Sequence, residues 1–97
     1  MELSQNALDI GLAVRTLEGT DVKGVGPDIG TLVTLDGVKD KDPAAILAAL
    51  GELEAYGYFR VSRCIASPRP GVPKELLGVA KVAILEPLQA LFDGMGV

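Results

Sequence analysis

The side chains best equipped for chemistry in this 97-residue chain are few and widely spaced. Histidine is absent, which removes the commonest general base and metal ligand. The single cysteine, Cys64, leaves no Cys/His spacing for zinc. Cys64 follows Arg63, whose charge favours a thiolate, but no base stands by to complete a nucleophilic site. It is expected to be a thiol packed on a strand, with redox sensing as the lesser alternative. Glu52 and Glu54 fall two residues apart in a helix-like stretch, which puts them on opposite sides of it rather than in an acid/base dyad. Gly24, Gly26 and Gly30 lack both the dinucleotide-binding spacing and a following Lys-Ser/Thr, and Pro27 has no backbone donor to offer a phosphate. The reading is therefore not an enzyme, with no metal and no cofactor.

The basic residues are more informative. The chain carries a net charge of −4, unevenly spread. Residues 1–56 hold four basic and ten acidic side chains. Residues 57–85 hold Arg60, Arg63, Arg69, Lys74 and Lys81 against Glu75 alone. A basic segment inside an acidic chain suits a polyanion or an acidic surface. It equally suits a solvated hairpin whose charges block unwanted strand pairing.

The elements that must position these charges follow from pattern. At 48% apolar residues the chain is too hydrophobic for disorder, and its length fits a single domain over 1–97. The apolar excess hints at a partner or a dimer. "MELSQNALDI" carries acid where a secretory signal needs base, no run spans a membrane, and one cysteine fits a reducing compartment, so a cytoplasmic protein is expected.

Ser4 caps a first helix running to about Leu17, with Leu3, Ala7, Ile10, Val14 and Leu17 as its stripe. Gly11 inside that helix suggests a close crossing. A short strand has room around residues 20–23. Pro27 is placed as the first residue of a short helix supported by Asp28, although residues 31–35 also suit a strand. Asp42 and Pro43 open a third helix that Gly57 closes. "YFRVSRCIA" and "LLGVAKVAIL" pair as antiparallel strands around a stiff, charged tip, "SPRPGVPKE". "EPLQALFDGMGV" adds a short helix closed by Gly94.

This element order, and "ILAALGELEAYGYFRVSR" in particular, resembles the winged helix-turn-helix proteins of the MarR-like and replication-initiator-like type and small actinobacterial regulators. In those families a Leu-x-x-Leu-Glu-x-x-Gly-aromatic run precedes a basic strand; Leu50, Leu53, Glu54, Gly57 and Tyr58 fill its places. Ile29, Leu32, Gly37 and Val38 match the preceding helix and turn, which is a few residues longer here. The implied fold is α+β: a three-helix core and two-stranded β-wing over 1–85, with a C-terminal helix or tail at 86–97.

The resemblance implies double-stranded DNA as partner, with the third helix in the major groove and the wing on the backbone. Carried over, Lys39, Lys41, Ala44, Ala45 and Ala48 face the bases, and Arg60, Arg63, Arg69 and Lys74 meet phosphates. The chain departs from the family here. Alanines make no bidentate hydrogen bonds to bases, and Asp40 and Asp42 repel phosphates. A small regulator gripping mainly through its wing is thus expected, with Arg69 between two prolines suited to the minor groove. The alternative is a protein-interaction or dimerisation module with a degenerate reading helix. Leu88, Leu91 and Phe92 are its candidate interface, and a homodimer is expected on either reading.

Overall fold

The computed structural model describes residues 3–18 and 27–96. They form an α+β fold of four helices and one two-stranded antiparallel sheet: α1 (Gln5–Glu18), α2 (Ile29–Leu32), α3 (Pro43–Ala55), β1 (Phe59–Arg63), β2 (Val79–Ile84) and α4 (Glu86–Met95). The strand expected near residues 20–23 lies outside the described residues. No helix among them is long and apolar enough to cross a membrane.

Helix ends follow their capping chemistry. The Ser4 hydroxyl accepts the Ala7 N–H at 3.2 Å at the head of α1. Asp28, rather than Pro27, is the boundary of α2: its carboxylate accepts the Thr31 N–H at 2.8 Å. Pro27 stands before the cap, and its carbonyl takes the Val82 N–H at 3.1 Å. The strand alternative for residues 31–35 is not realised. Helical turns continue instead, with Thr34 N–H on Thr31 O and Leu35 N–H on Leu32 O.

Asp42 accepts the Ala44 N–H at 2.9 Å and Pro43 follows it, so α3 begins where the sequence places it. At its far end Gly57 adopts φ +74°, Tyr58 N–H reaches Leu53 O, and Gly57 N–H reaches Glu54 O. Those two bonds satisfy carbonyls that the helix would leave open. The same turn delivers the chain directly into β1.

Every helix and both strands feed one core. Ile10 and Val14 of α1, Ile29 and Leu32 of α2, Leu50 and Leu53 of α3, Phe59 and Val82 of the sheet, and Leu88 and Phe92 of α4 are all buried. Val38 anchors the turn between α2 and α3 there as well. Gly11 explains how α4 fits. A Cβ on it would stand 3.1 Å from Phe92 Cζ and 3.2 Å from Leu88 Cδ2, so α1 and α4 cross closely at a residue without a side chain. Arg15 fastens the same crossing, donating through Nη1 to the Gln89 carbonyl at 3.0 Å and through Nη2 to Asp93. Helix α4 closes at Gly96 (φ +77°), not at Gly94.

The strands are shorter than the sequence suggests. Pairing runs from Phe59↔Ile84 to Ser62↔Lys81, then breaks at an irregularity between Ser62 and Arg63. Beyond it the connection is no free tip. Residues 74–76 make one 3-10 turn that drives Leu76 fully into the core. The proline-rich stretch is therefore pinned at its downstream end.

Candidate functional site

Helix α3 presents Ala44, Leu47, Ala48, Gly51 and Ala55 to solvent. At about 100° per residue these five fall within roughly 100° of arc, a single stripe along the helix. Leu47 is 43% exposed, and no atom of the stripe's side chains donates or accepts a hydrogen bond. Ala45, expected beside them, is half-buried. The stripe is bordered by carboxylates. Asp40 is exposed, Asp42 is held at the helix cap, and Glu52 accepts the Ser4 N–H at 2.7 Å.

The cations expected around this helix are mostly engaged elsewhere. Lys41 is a correction: its Nζ donates to Asn6 Oδ1 and Asp9 Oδ2, both at 2.9 Å, and its side chain is only 16% exposed. It ties the turn to α1. That hydrogen bond, with a second from Gln5, holds the Asp9 carboxyl below its ordinary value. Lys39 lies 3.2 Å from Asp36, an exposed pair.

The hairpin cations divide in the same way. Arg63 grips Glu54 with both terminal nitrogens, at 2.7 and 2.6 Å. The grip lowers the Glu54 pKa and raises that of Arg63. Arg69 is a second correction. Its Nη2 donates inward to Leu77 O at 2.8 Å and Val79 O at 3.0 Å, while its buried Nε has no partner. The guanidinium closes the proline-rich loop on its own stem, so it is not poised for a minor groove.

Among the described residues, Arg60, Lys74 and Lys81 are exposed and have no carboxylate partner. Arg60 and Lys81 share the outward face of the sheet. Arg60 pairs with Ala83 and Ser62 with Lys81, which makes the two cations diagonal neighbours roughly 7–8 Å apart. Sequence pattern does not single out Lys81 as a site residue, because only the strand register puts it beside Arg60.

Helix α4 corrects the expected interface. Leu88 and Phe92 are fully buried against α1, leaving Leu91 at 39% and Met95 at 54% exposure. Two of the three residues of the stripe that looks spare in sequence are core, and Leu91 alone stays exposed. Cys64 is a further correction: it lies just past β1 and is exposed, with Sγ 3.5 Å from Leu77 O.

One open cleft of about 530 Å³ lies between α1 and the turn after α2, lined by Asp9, Leu12, Ala13, Thr16, Leu17, Leu35, Asp36 and Gly37. No sequence pattern marks it, since its walls come from two separate segments. No group of three or more His, Cys, Asp or Glu able to hold a metal occurs among the described residues. Neither a scan against protein-family models nor searches of curated proteins and of solved structures find a match to this chain.

Proposed function

We propose that this chain is a protein-interaction module built on a winged helix-turn-helix frame, with the outer face of α3 as its docking surface. The frame is supported by the order of helix, short helix, turn, helix and hairpin. It is further supported by the Asp28–Lys81 bridge, which adds the segment before α2 to the far edge of β2.

The observation that carries the function is the chemistry of the α3 stripe. Reading bases takes hydrogen-bonding side chains, and gripping phosphates takes cations. The stripe has neither, and Asp40, Asp42 and Glu52 around it repel a polyanion. An apolar strip with an exposed leucine and small neighbours instead lets another protein surface approach closely and lose water.

Leu47→Asp and Ala48→Glu test this. Both residues are exposed, so the fold is expected to survive, as circular dichroism would establish. Affinity capture from the native source with wild-type protein as bait should retain a partner that both variants lose and that Arg60→Ala keeps. The reading fails if capture is the same with the stripe variants as with wild type.

A second reading keeps one observation in its favour. Arg60 and Lys81, with Lys74, form a small set of cations with no carboxylate partner, which suits a DNA-binding regulator gripping through its hairpin. A duplex titration at low and moderate salt tests it. With about two or three phosphates neutralised, log K should fall with log salt at a slope near −2 to −3, and Arg60→Ala should weaken binding where Arg69→Ala acts only through the fold.

A further inference from the structure

We propose that the outward face of the β1–β2 hairpin binds single-stranded nucleic acid, seating a phosphate between two cations and a base against a pair of tyrosines. The phosphate seat follows from strand register. Arg60 pairs with Ala83 and Ser62 with Lys81. One diagonal of this face therefore carries two cations, roughly 7–8 Å apart, and the other carries two small side chains. Both cations are exposed, and neither has a carboxylate partner among the described residues. An anion settled over Ala83 and Ser62 lies between the guanidinium and the ammonium. The Ser62 hydroxyl makes no hydrogen bond within the described chain and adds a neutral donor. Asp28 stands beside Lys81 through their backbone bridge, but its carboxylate is taken by the Thr31 N–H.

The base seat is a separate observation. Leu85 N–H bonds to Tyr58 O at 2.8 Å, which carries the ladder one pair beyond Phe59↔Ile84. Alternation then puts Tyr58 on the same face as Arg60, about 6.6–6.8 Å along the strand. Gly57, at φ +74°, makes the turn between Tyr56 and Tyr58. Their rings lie with centroids 5.6 Å apart at a tilt of 39°. Tyr58 packs partly on the core, so its ring holds that of Tyr56 from one side, and both remain half-buried rather than closed off. The acid near this turn, Glu54, is already gripped by Arg63.

An aromatic pair followed by cations along one face is what a single strand uses, because its bases are free to stack while its phosphates meet charge. A duplex keeps its bases stacked on one another and would leave the tyrosines idle, as would an acidic peptide. The net charge of −4 does not fall on this face: residues 57–85 hold five basic side chains against Glu75 alone. The face contains none of the α3 stripe residues and stands whether or not that stripe docks a partner. It shares Arg60 and Lys81 with the duplex reading above, so the duplex is one arm of the test.

The test titrates an oligothymidylate strand of about twelve nucleotides, a length that single-strand grooves accept, against the same strand in a duplex and against a Glu-rich peptide. The single strand should bind at least about tenfold more tightly than the duplex, with stacking as the source of the difference. Ring protons of Tyr56 should shift upfield as the strand is added to the wild-type protein. Tyr56→Ala should weaken binding about tenfold, the order expected for one lost stacking partner, and Tyr56→Phe should keep it. Arg60→Gln with Lys81→Gln, both at exposed positions, should reduce the salt slope by about 0.7 for the one phosphate seated there. Absent binding of the strand, or equal or tighter binding of the duplex, overturns the proposal. So does a strand that binds without moving the Tyr56 ring, or that Tyr56→Ala binds as wild type does. A bound peptide beside an inert strand assigns the cations to an acidic protein segment and overturns it too.

Discussion

Arg63 and Glu54 form a two-point clasp between the strand and the helix before it, Nη1 on Oε2 at 2.7 Å and Nη2 on Oε1 at 2.6 Å. The strand cation that most resembles a phosphate ligand in sequence is thereby neutralised by the helix before it. The clasp lowers the Glu54 pKa, chiefly through the Arg63 hydrogen bonds. A depressed carboxyl adds stability above its unfolded value of about 4.3, and that contribution is lost as pH falls through the lower folded value. Arg63→Gln should therefore move the Glu54 carboxyl midpoint upward in a side-chain NMR titration. An unchanged midpoint would show that the clasp does not persist in solution.

Asp9 makes a parallel prediction near the other end of α3, where Lys41 precedes the helix. Its carboxyl is depressed first by the Lys41 hydrogen bond and next by that from Gln5. The sign is the same: the contribution is complete above about pH 4 and disappears on acidification through the folded pKa. Lys41→Gln should flatten the fall in urea midpoint between about pH 4 and pH 2, while Lys39→Gln, whose exposed pair with Asp36 is screened by water, should leave that slope as it is. Equal slopes for both variants would remove Lys41 from the account.

Much of the frame is legible in the sequence because local chemistry and global packing agree in it. Ser4, Asp42, Pro43 and Gly57 mark helix ends by groups that act within a few residues of themselves, and the stripe Ala7, Ile10, Val14 needs only helical periodicity. The candidate site is legible in charge but not in availability. Whether Arg63, Arg69 or Lys41 is free depends on partners 9, 8 or 10, and 32 or 35 residues away, and no local pattern encodes those. The expectation for α4 fails for the same reason. "LQALF" looks spare until Gly11, far upstream, is seen to leave space for Phe92.

That crossing sets a matched pair of glycine predictions. Both Gly11 and Gly51 are helical, and replacing either by alanine gains up to about 1 kcal/mol of helix propensity. A Cβ on Gly51 meets nothing within 4 Å, so Gly51→Ala should raise stability by about 0.5–1 kcal/mol in urea unfolding. A Cβ on Gly11 meets fully buried Phe92 and Leu88 at 3.1–3.3 Å, where overpacking costs about 1–3 kcal/mol and outweighs the gain. Gly11→Ala should come out neutral to about 2 kcal/mol less stable. If the two variants are stabilised alike, α4 does not rest on α1 as described.

The burial of α4 separates folding from assembly. Phe92→Ala removes a fully buried ring and should cost about 3–5 kcal/mol, and Leu88→Ala about 2–5 kcal/mol. Such losses would unfold much of a small domain, since total stability is itself about 5–15 kcal/mol. Leu91→Asp, at a position 39% exposed, should leave the urea midpoint within about 0.5 kcal/mol of wild type. Light scattering on the Leu91→Asp protein then reports assembly without the complication of unfolding, and an unchanged mass is expected. A fall from dimer to monomer in that variant, with its urea midpoint intact, would restore α4 as an interface.

Arg69 closes the hairpin loop rather than extending it, and its removal should be felt in the loop before the sheet. Its Nη2 is the donor for both Leu77 O and Val79 O, at 2.8 and 3.0 Å. Arg69→Ala leaves those carbonyls to water or to nothing, and hydrogen bonds from a charged donor are worth about 1.5–3 kcal/mol each at most in such settings. Arg69 reaches the sheet only at Val79, the last pair of the ladder beyond the irregularity, so amides at 59–62 and 81–84 should keep their protection. Amides at 64–78 should exchange faster by a factor of about 10 or more, the equivalent of about 1.4 kcal/mol of local opening. Uniform loss of protection across both strands would mean that Arg69 holds the whole sheet. Unchanged exchange at 64–78 would mean that the prolines and Leu76 hold the loop without it.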